Sequence, residues 1–221
     1  MRKIIAALVT SVALVFSTSA FAVDPSQFSV GVSGYFGVYA ADGKEENYTH
    51  TGTLETTTTK DGAAFAAGYA SIFVEYAVND NMSIGLDYVP DAITTPENVN
   101  SGEGGDDTTD IKVKASFDDL TTLYFLAKSD IGVYGKFGVS TMNIDVTSEN
   151  AGTYSDPGDT DGITIGLGYE HEADNGVAVR AELSYHDFDD VKANNGQTDK
   201  NEITVSNMQG ATARISLVKS F

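Results

Sequence analysis

The sequence is short of three features, and each shortage excludes a class of protein. It contains no cysteine, so disulfide bonds cannot stabilise the fold. After residue 22 it has no apolar run long enough for a membrane-spanning helix, which excludes a helical transmembrane protein. Basic residues are few, with 13 Lys and Arg against 32 Asp and Glu. This acidic balance argues against nucleic acid as a partner, and against anionic lipid recognised by its charge.

The first 22 residues predict a secretory signal peptide. Arg2 and Lys3 give a basic start, residues 4–16 are apolar, and residues 20–22 (Ala-Phe-Ala) form a small-x-small cleavage site. The apolar part is too short to span a bilayer as a helix. We therefore expect residues 23–221 to form the mature domain, whose net charge falls from −19 to −21 because two basic residues are removed.

The mature chain repeatedly alternates apolar and polar residues, which is the pattern of a half-buried strand. The alternation predicts eight strands, at about 28–40, 64–77, 82–90, 111–127, 133–146, 163–170, 177–188 and 208–221. Several of these stretches approach the roughly 9–11 residues that a tilted strand needs to cross a bilayer.

The connections between these strands alternate between long and short. The long ones are polar and fall at about 41–62, 91–110, 148–162 and 189–207. The short ones fall at 79–81, 128–132 and 171–176, and the last of them ends in Asn175-Gly176, a strong hairpin signal. Long loops at one end and tight turns at the other are typical of an up-and-down outer-membrane barrel.

The composition of the two strand faces separates a membrane barrel from a soluble one. A soluble lipocalin-like barrel carries bulky apolar residues inside, whereas a membrane barrel carries them outside. Here one face is small and polar, as in Ser29-Gly31-Ser33 and Thr164-Gly166-Gly168, and the other is apolar, as in Ile163-Ile165-Leu167. This contrast favours the membrane barrel, while a soluble periplasmic ligand-binding barrel stays open as an alternative.

The alternation of apolar and polar residues changes phase within the stretch 111–127. Its apolar residues are odd-numbered before Asp118 and even-numbered afterwards, at Leu120, Tyr124 and Leu126. We expect a bulge or the membrane rim near Asp118, with the even-numbered set facing lipid below it.

The ends of the strands add aromatic residues, which favour a membrane–water interface. These residues are Tyr76, Tyr88, Tyr169, Tyr185 and Phe221. Together with the signal peptide and the eight strands, this pattern resembles the small outer-membrane β-barrels of Gram-negative bacteria, the opacity/OmpX-like and OmpA-transmembrane-domain group. The resemblance implies that the final strand, with Phe221, Leu217 and Ile215, is recognised by the barrel-assembly machinery. Lys219 departs from that pattern, since a hydrophobic residue is usual at its position.

Seven charged residues fall on the predicted inner face of the strands. They are Glu75, Asp87, Lys136, Glu170, Arg180, Glu182 and Arg214. Eight strands enclose only enough room for their own side chains, and buried charges are costly unless paired. We therefore expect a network of ion pairs that closes the lumen. A narrow channel whose pairs exchange partners is the alternative.

Signals for catalysis and for a metal site are weak. Glu182, Ser184 and His186 share one strand face, but neighbours on a face stand about 6.6–6.8 Å apart, beyond the reach of a nucleophile and its base. The acidic pattern around Asp159 and Asp161 lacks the other ligands of a calcium loop. We predict no enzyme activity, no cofactor and no dedicated metal site. Loose binding of divalent cations or of an extracellular partner by the acidic loops stays open.

These observations predict an all-β, eight-stranded antiparallel up-and-down transmembrane β-barrel in the Gram-negative outer membrane. Both termini would face the periplasm and four acidic loops would face outward. A non-enzymatic structural or surface-interaction role is the expected function.

Overall fold

The computed structural model describes residues 25–48, 51–95, 98–100, 111–149, 157–173, 175–194 and 201–221. The predicted signal peptide and parts of the long loops lie outside these residues. After a short 3-10 helix, Pro25–Gln27, the described chain is built of strands. They are β1 (Phe28–Tyr48), β2 (Leu54–Asn79), β3 (Met82–Tyr88), β4 (Ile93–Thr94), β5 (Asn98–Asn100), β6 (Ile111–Lys128), β7 (Val133–Glu149), β8 (Gly158–Ala173), β9 (Val177–Phe188), β10 (Val191–Asn194) and β11 (Asn201–Ser220).

Eight of these strands close into an antiparallel ring. The order is β1-β2-β3-β6-β7-β8-β9-β11, and β11 pairs back with β1. Val32 of β1 accordingly lies opposite Ile72 of β2 on one side and Leu217 of β11 on the other. The predicted all-β, eight-stranded antiparallel barrel is confirmed. No helix in the described part of the chain is long and apolar enough to cross a membrane.

The strands extend further toward the long-loop end than the sequence pattern predicted. The stretch 41–62, expected as a loop, is mostly strand, because β1 and β2 stay paired as far as Tyr48 opposite Leu54. β8 begins at Gly158 and β11 at Asn201, before their predicted starts at 163 and 208. Residues 56–59 are all threonine, a β-branched residue that favours strands. Because both faces of the strand are exposed here, its sequence shows no alternation of apolar and polar residues.

The barrel wall is apolar outside and polar inside over the half that carries the short turns. Phe36, Leu167 and Leu183 are 63%, 66% and 69% exposed on the outer face. Ser33, Ser71, Ser140, Thr164 and Ser216 are buried on the inner face. This arrangement is the opposite of a soluble barrel, so the soluble periplasmic alternative was wrong.

Strand β6 contains the predicted bulge, but its lower residues face the other way. The register shifts between Asp118 and Thr121, and Asp119 takes a positive φ of 55°. Tyr124 and Leu126 are only 2% and 3% exposed and point into the lumen, whereas the intervening Phe125 is 42% exposed. The expectation that the even-numbered set faces lipid was therefore wrong.

A glycine explains why a tyrosine fits inside at this level. A Cβ on Gly85 of the neighbouring strand β3 would lie 2.3 Å from the Tyr124 ring, so only glycine leaves room for that ring. The Tyr124 hydroxyl is satisfied, because it donates to Glu75 at 2.6 Å. Ring volume and hydrogen bonding together hold Tyr124 in the lumen, and neither appears in an alternation of apolar residues.

Candidate functional site in the barrel lumen

The structure places all seven sequence-predicted charged residues in the lumen, each at most 7% exposed. They form two linked clusters in the half of the barrel that carries the short turns. The first is centred on Arg180 of β9. Its two terminal nitrogens donate to the Glu75 carboxylate, at 2.5 and 2.7 Å, while its Nε donates to Glu170. One guanidinium therefore joins carboxylates from β2 and β8, which lie four strands apart on opposite sides of the ring.

The second cluster is centred on Glu182, one inward position further along β9. Lys136 donates to this carboxylate, Tyr134 and Ser184 donate to it at 3.0 and 2.7 Å, and Arg214 Nη1 lies 3.8 Å away. Glu182 therefore has two cationic neighbours and two hydroxyl donors, which is the satisfaction that a buried carboxylate requires.

Arg214 connects Glu182 to Asp87, the fourth acidic residue of the network. Its Nη2 lies 3.1 Å from Asp87 Oδ2, and its Nε donates to the hydroxyls of Ser33 and Ser216. Asp87 in turn accepts hydrogen bonds from Ser71 at 3.1 Å and Tyr35 at 3.3 Å. Every carboxylate of the network thus has a cationic partner.

An eighth charged residue, Lys128, completes the network and was missed in the sequence. Its Nζ lies 2.5 Å from Glu170 Oε1, so four carboxylates face four basic side chains. Lys128 has the same parity as Tyr124 and Leu126, and assigning the phase of β6 correctly would have placed it inward. The lumen is consequently neutral despite the strongly acidic chain.

Aromatic rings fill the space between the charged groups. Phe73 lies between the two arginines, with its ring centroid 4.7 Å from Arg214 Cζ and 5.7 Å from Arg180 Cζ. Such contacts favour the cation and also exclude water. A Cβ on Gly31 would lie 2.2 Å from the Phe73 ring, so this glycine makes the position of Phe73 available.

A belt of hydroxyl groups and one imidazole lies above the charges, toward the long-loop end. We define the hydroxyl belt as Thr122, Ser140, Thr164, His186 and Thr212. Each neighbouring pair is hydrogen-bonded, at 2.8, 3.0, 2.9 and 3.0 Å in that order. The belt crosses five strands of the ring and separates the charged part of the lumen from the part beyond it.

Ser184 and His186 do not pair with each other. His186 bonds Thr164 and Thr212 through its two ring nitrogens, and Ser184 donates instead to Glu182 at 2.7 Å. The hydrogen bond between a nucleophile and its base is not formed here, and the imidazole serves as a link in the hydroxyl belt.

Beyond the hydroxyl belt the lumen becomes apolar. A cluster of buried side chains lines it, comprising Val89, Ile93, Leu120, Met142, Ile144, Phe188, Val191 and Met208. The interior is thus layered, with charges toward the short turns, hydroxyls in the middle and hydrocarbon toward the long loops. The alternation of residues in the sequence did not distinguish the polar part of the inner face from the apolar part.

The acidic residues of the predicted loops are only partly within the described chain. Asp159 and Asp161 lie in β8, whereas Glu103, Asp106, Asp107 and Asp156 fall outside the described residues. Among the described residues, no group of three or more His, Asp or Glu side chains is arranged to hold a metal ion.

The C-terminal residues lie on the outer face of the barrel. Phe221, Leu217 and Ile215 are 64%, 52% and 61% exposed, and the Phe221 amide donates to the Phe28 carbonyl at 3.2 Å. Lys219 Nζ donates to the Asn175 carbonyl at 2.9 Å, so it caps a short turn.

Comparison with known proteins identifies the family of this barrel. A family model described as the outer membrane protein beta-barrel domain matches residues 8–207. The chain belongs to this family. Membership places the barrel in an outer membrane, with lipid against the exposed apolar face.

Two solved structures share the fold at low sequence identity, and a third is less similar. Outer membrane protein OprG from Pseudomonas aeruginosa is 15% identical, with 87% of this chain and 96% of that chain covered and a TM-score of 0.57. AlkL, determined in lipid bilayers, is 13% identical, with 93% and 95% covered and a TM-score of 0.50. The outer membrane protease OmpT from Escherichia coli is 11% identical, with 93% and 99% covered and a TM-score of 0.47. No curated protein matches the sequence.

Proposed function

We propose that this outer-membrane barrel is non-enzymatic and closed to ions at the level of its charge network. Its role is then structural, or lies in interactions of the surface at its long-loop end. The observation that supports closure is the neutral set of four carboxylates and four basic side chains, joined through Arg180, Arg214 and Lys136.

The energetics favour a closed lumen over a narrow channel. An aqueous path would require pairs such as Arg180–Glu75 to separate while both partners stay within the barrel wall. Breaking a buried ion pair costs about 3–5 kcal/mol, and Phe73, Tyr124 and Tyr134 occupy the space between the charges. Spontaneous opening is therefore rare, and the channel remains the second candidate.

The rest of the proposal concerns export and orientation. Residues 1–22 are removed as a signal peptide, both termini face the periplasm, and the long-loop end faces the medium. The outer-face residues Phe221, Leu217 and Ile215 are read by the barrel-assembly machinery. Acidic residues at the long-loop end offer loose contacts to divalent cations or to an extracellular partner.

The test is insertion followed by electrical recording. Residues 23–221 are refolded into lipid vesicles and transferred to a planar bilayer. The proposal predicts insertion without conductance for the natural sequence, and measurable conductance for the double variant Glu75→Ala/Arg180→Ala. The matched control removes an exposed pair, Lys192→Ala/Glu202→Ala, and should remain silent. Reproducible conductance steps from the natural sequence would favour the channel instead, and failure to insert would contradict the membrane role.

A further inference from the structure

The apolar part of the lumen encloses a cavity of about 490 Å³. It lies between the hydroxyl belt and the long-loop end. Its lining includes Phe65, Phe117, Leu120, Met142, Phe188 and Met208, and none of the described lining residues carries a charge. The volume falls within the range of about 300–1,000 Å³ that is usual for small-molecule sites.

The charge network that closes the lumen does not explain this cavity. At the level of the charges the side chains fill the lumen, and a water-filled lumen in this class of barrel is expected to be polar. Here seven of the eight buried apolar side chains of the cluster line space that they leave unfilled. Apolar walls around an open volume suit an apolar occupant, because water in the cavity would find few hydrogen-bond partners.

Aromatic rings indicate the shape of that occupant. Tyr39 and Phe65 stack with centroids 5.5 Å apart, and Phe65 and Phe117 lie parallel within 1° at 6.1 Å. The three rings form one row across β1, β2 and β6 on the cavity wall. A planar ring system can extend this row by stacking on one of its terminal rings, while the flexible Met142 and Met208 adapt to its edges.

We propose that this cavity is a binding site for one small, uncharged molecule with a planar ring system. The hydroxyl belt lies between this cavity and the charge network, so the molecule is held in the half of the barrel that carries the long loops. This site is independent of whether the lumen conducts ions.

The experiment uses the absence of tryptophan from the sequence. A single reporter is introduced at the cavity by Phe188→Trp, and in a second protein at the lipid-facing wall by Phe137→Trp. Both proteins are placed in lipid nanodiscs and titrated with 1-bromonaphthalene, whose bromine quenches tryptophan fluorescence. The proposal predicts saturable quenching at the cavity and only a gradual, non-saturating decrease at the lipid-facing reporter. Non-saturating quenching at both positions would overturn it.

Competition tests the chemical class. Naphthalene should displace the quencher at a concentration at least tenfold lower than decane, which has the same number of carbon atoms. Equal displacement by decane would contradict the ring preference.

A variant that fills part of the cavity tests whether the molecule binds there. Ala115 lines the cavity, and Ala115→Phe in the Phe188→Trp protein should raise the half-saturating concentration at least tenfold. The matched control, Ala70→Phe, adds the same ring on the exposed outer face and should leave that concentration unchanged. Unchanged saturation in Ala115→Phe would place the molecule elsewhere and overturn the proposal. Met142→Trp provides a second reporter if Phe188→Trp does not fold.

Discussion

At the scale of single residues, Arg180 is the side chain that joins two of the four carboxylates of the charge network. Arg180→Met removes the cationic partner of Glu75 and one of the two cationic partners of Glu170, while all three positions remain buried. Loss of one member of a buried ion pair costs about 3–5 kcal/mol, and we expect a loss of that size in the free energy of unfolding.

Urea unfolding in detergent micelles measures this change. Lys192→Met is the control, because it removes an exposed pair with Glu202 and should leave the unfolding midpoint unchanged. A midpoint for Arg180→Met equal to that of the natural sequence would mean that the network does not stabilise the barrel.

Two glycines of the wall provide a second, matched test. A Cβ on lumen-facing Gly168 would lie 2.4 Å from Cζ of Tyr134 and 2.7 Å from the Ala181 carbonyl oxygen, whereas a Cβ on Gly135 would meet nothing within 4 Å. Overpacking in a filled interior costs about 1–3 kcal/mol. Gly168→Ala should therefore destabilise the barrel by roughly that amount.

Gly135→Ala should be neutral or slightly stabilising, since it only restricts the unfolded chain. Thermal unfolding of the two variants in the same detergent compares them directly. Equal melting temperatures would show that the lumen near Tyr134 has free space.

At the scale of elements, Asp42 holds three strands together beyond the lipid-facing band. Its carboxylate accepts the Gly62 amide of β2 at 2.7 Å and the Asn207 side chain of β11 at 2.8 Å, at an irregularity in β1. These two hydrogen bonds hold the pKa of Asp42 below its usual value. The bond from Asn207 has the larger effect, and the bond from Gly62 adds to it.

Because the folded-state pKa is lowered, this contribution is complete above the unfolded pKa, about 4, and is lost as pH falls through the lowered value. Hydrogen-exchange protection of the Gly62 amide should therefore decrease between pH 5 and pH 2. Asp42→Ala should reduce protection at pH 5 to its acid level. Protection that is independent of pH in the natural sequence would contradict this role of Asp42.

The elements also show what the sequence could and could not predict. Alternation identified all eight ring strands, because each has lipid on one side and a polar lumen on the other. It failed for residues 56–59, where both faces are exposed, and for lower β6, where Tyr124 and Leu126 are apolar on the lumen side. Among the lumen charges, seven of the eight follow from face assignment, while Lys128 depends on the phase of β6. The partners of each charge depend on cross-barrel distances, which a linear pattern does not contain.

At the scale of the whole molecule, the barrel is built from an apolar exterior and a layered interior. The exterior requires lipid, since large exposed residues such as Phe36, Leu167 and Leu183 cover the wall. The interior combines charge pairing, a hydroxyl belt and an apolar cavity along one axis. The proposed closure of the lumen and the proposed binding site for a ring-bearing molecule both rest on that layering.

The most direct test of this account asks which wall residues contact lipid. Leu167→Trp places a reporter at a position that is 66% exposed, and Tyr134→Trp places one at a position that is 1% exposed. Each protein is refolded into vesicles that contain lipids brominated on their acyl chains. If the apolar face of the wall contacts lipid, bromine should quench Leu167→Trp strongly and Tyr134→Trp little. The reverse result, or equal quenching of both reporters, would show that this face does not contact lipid.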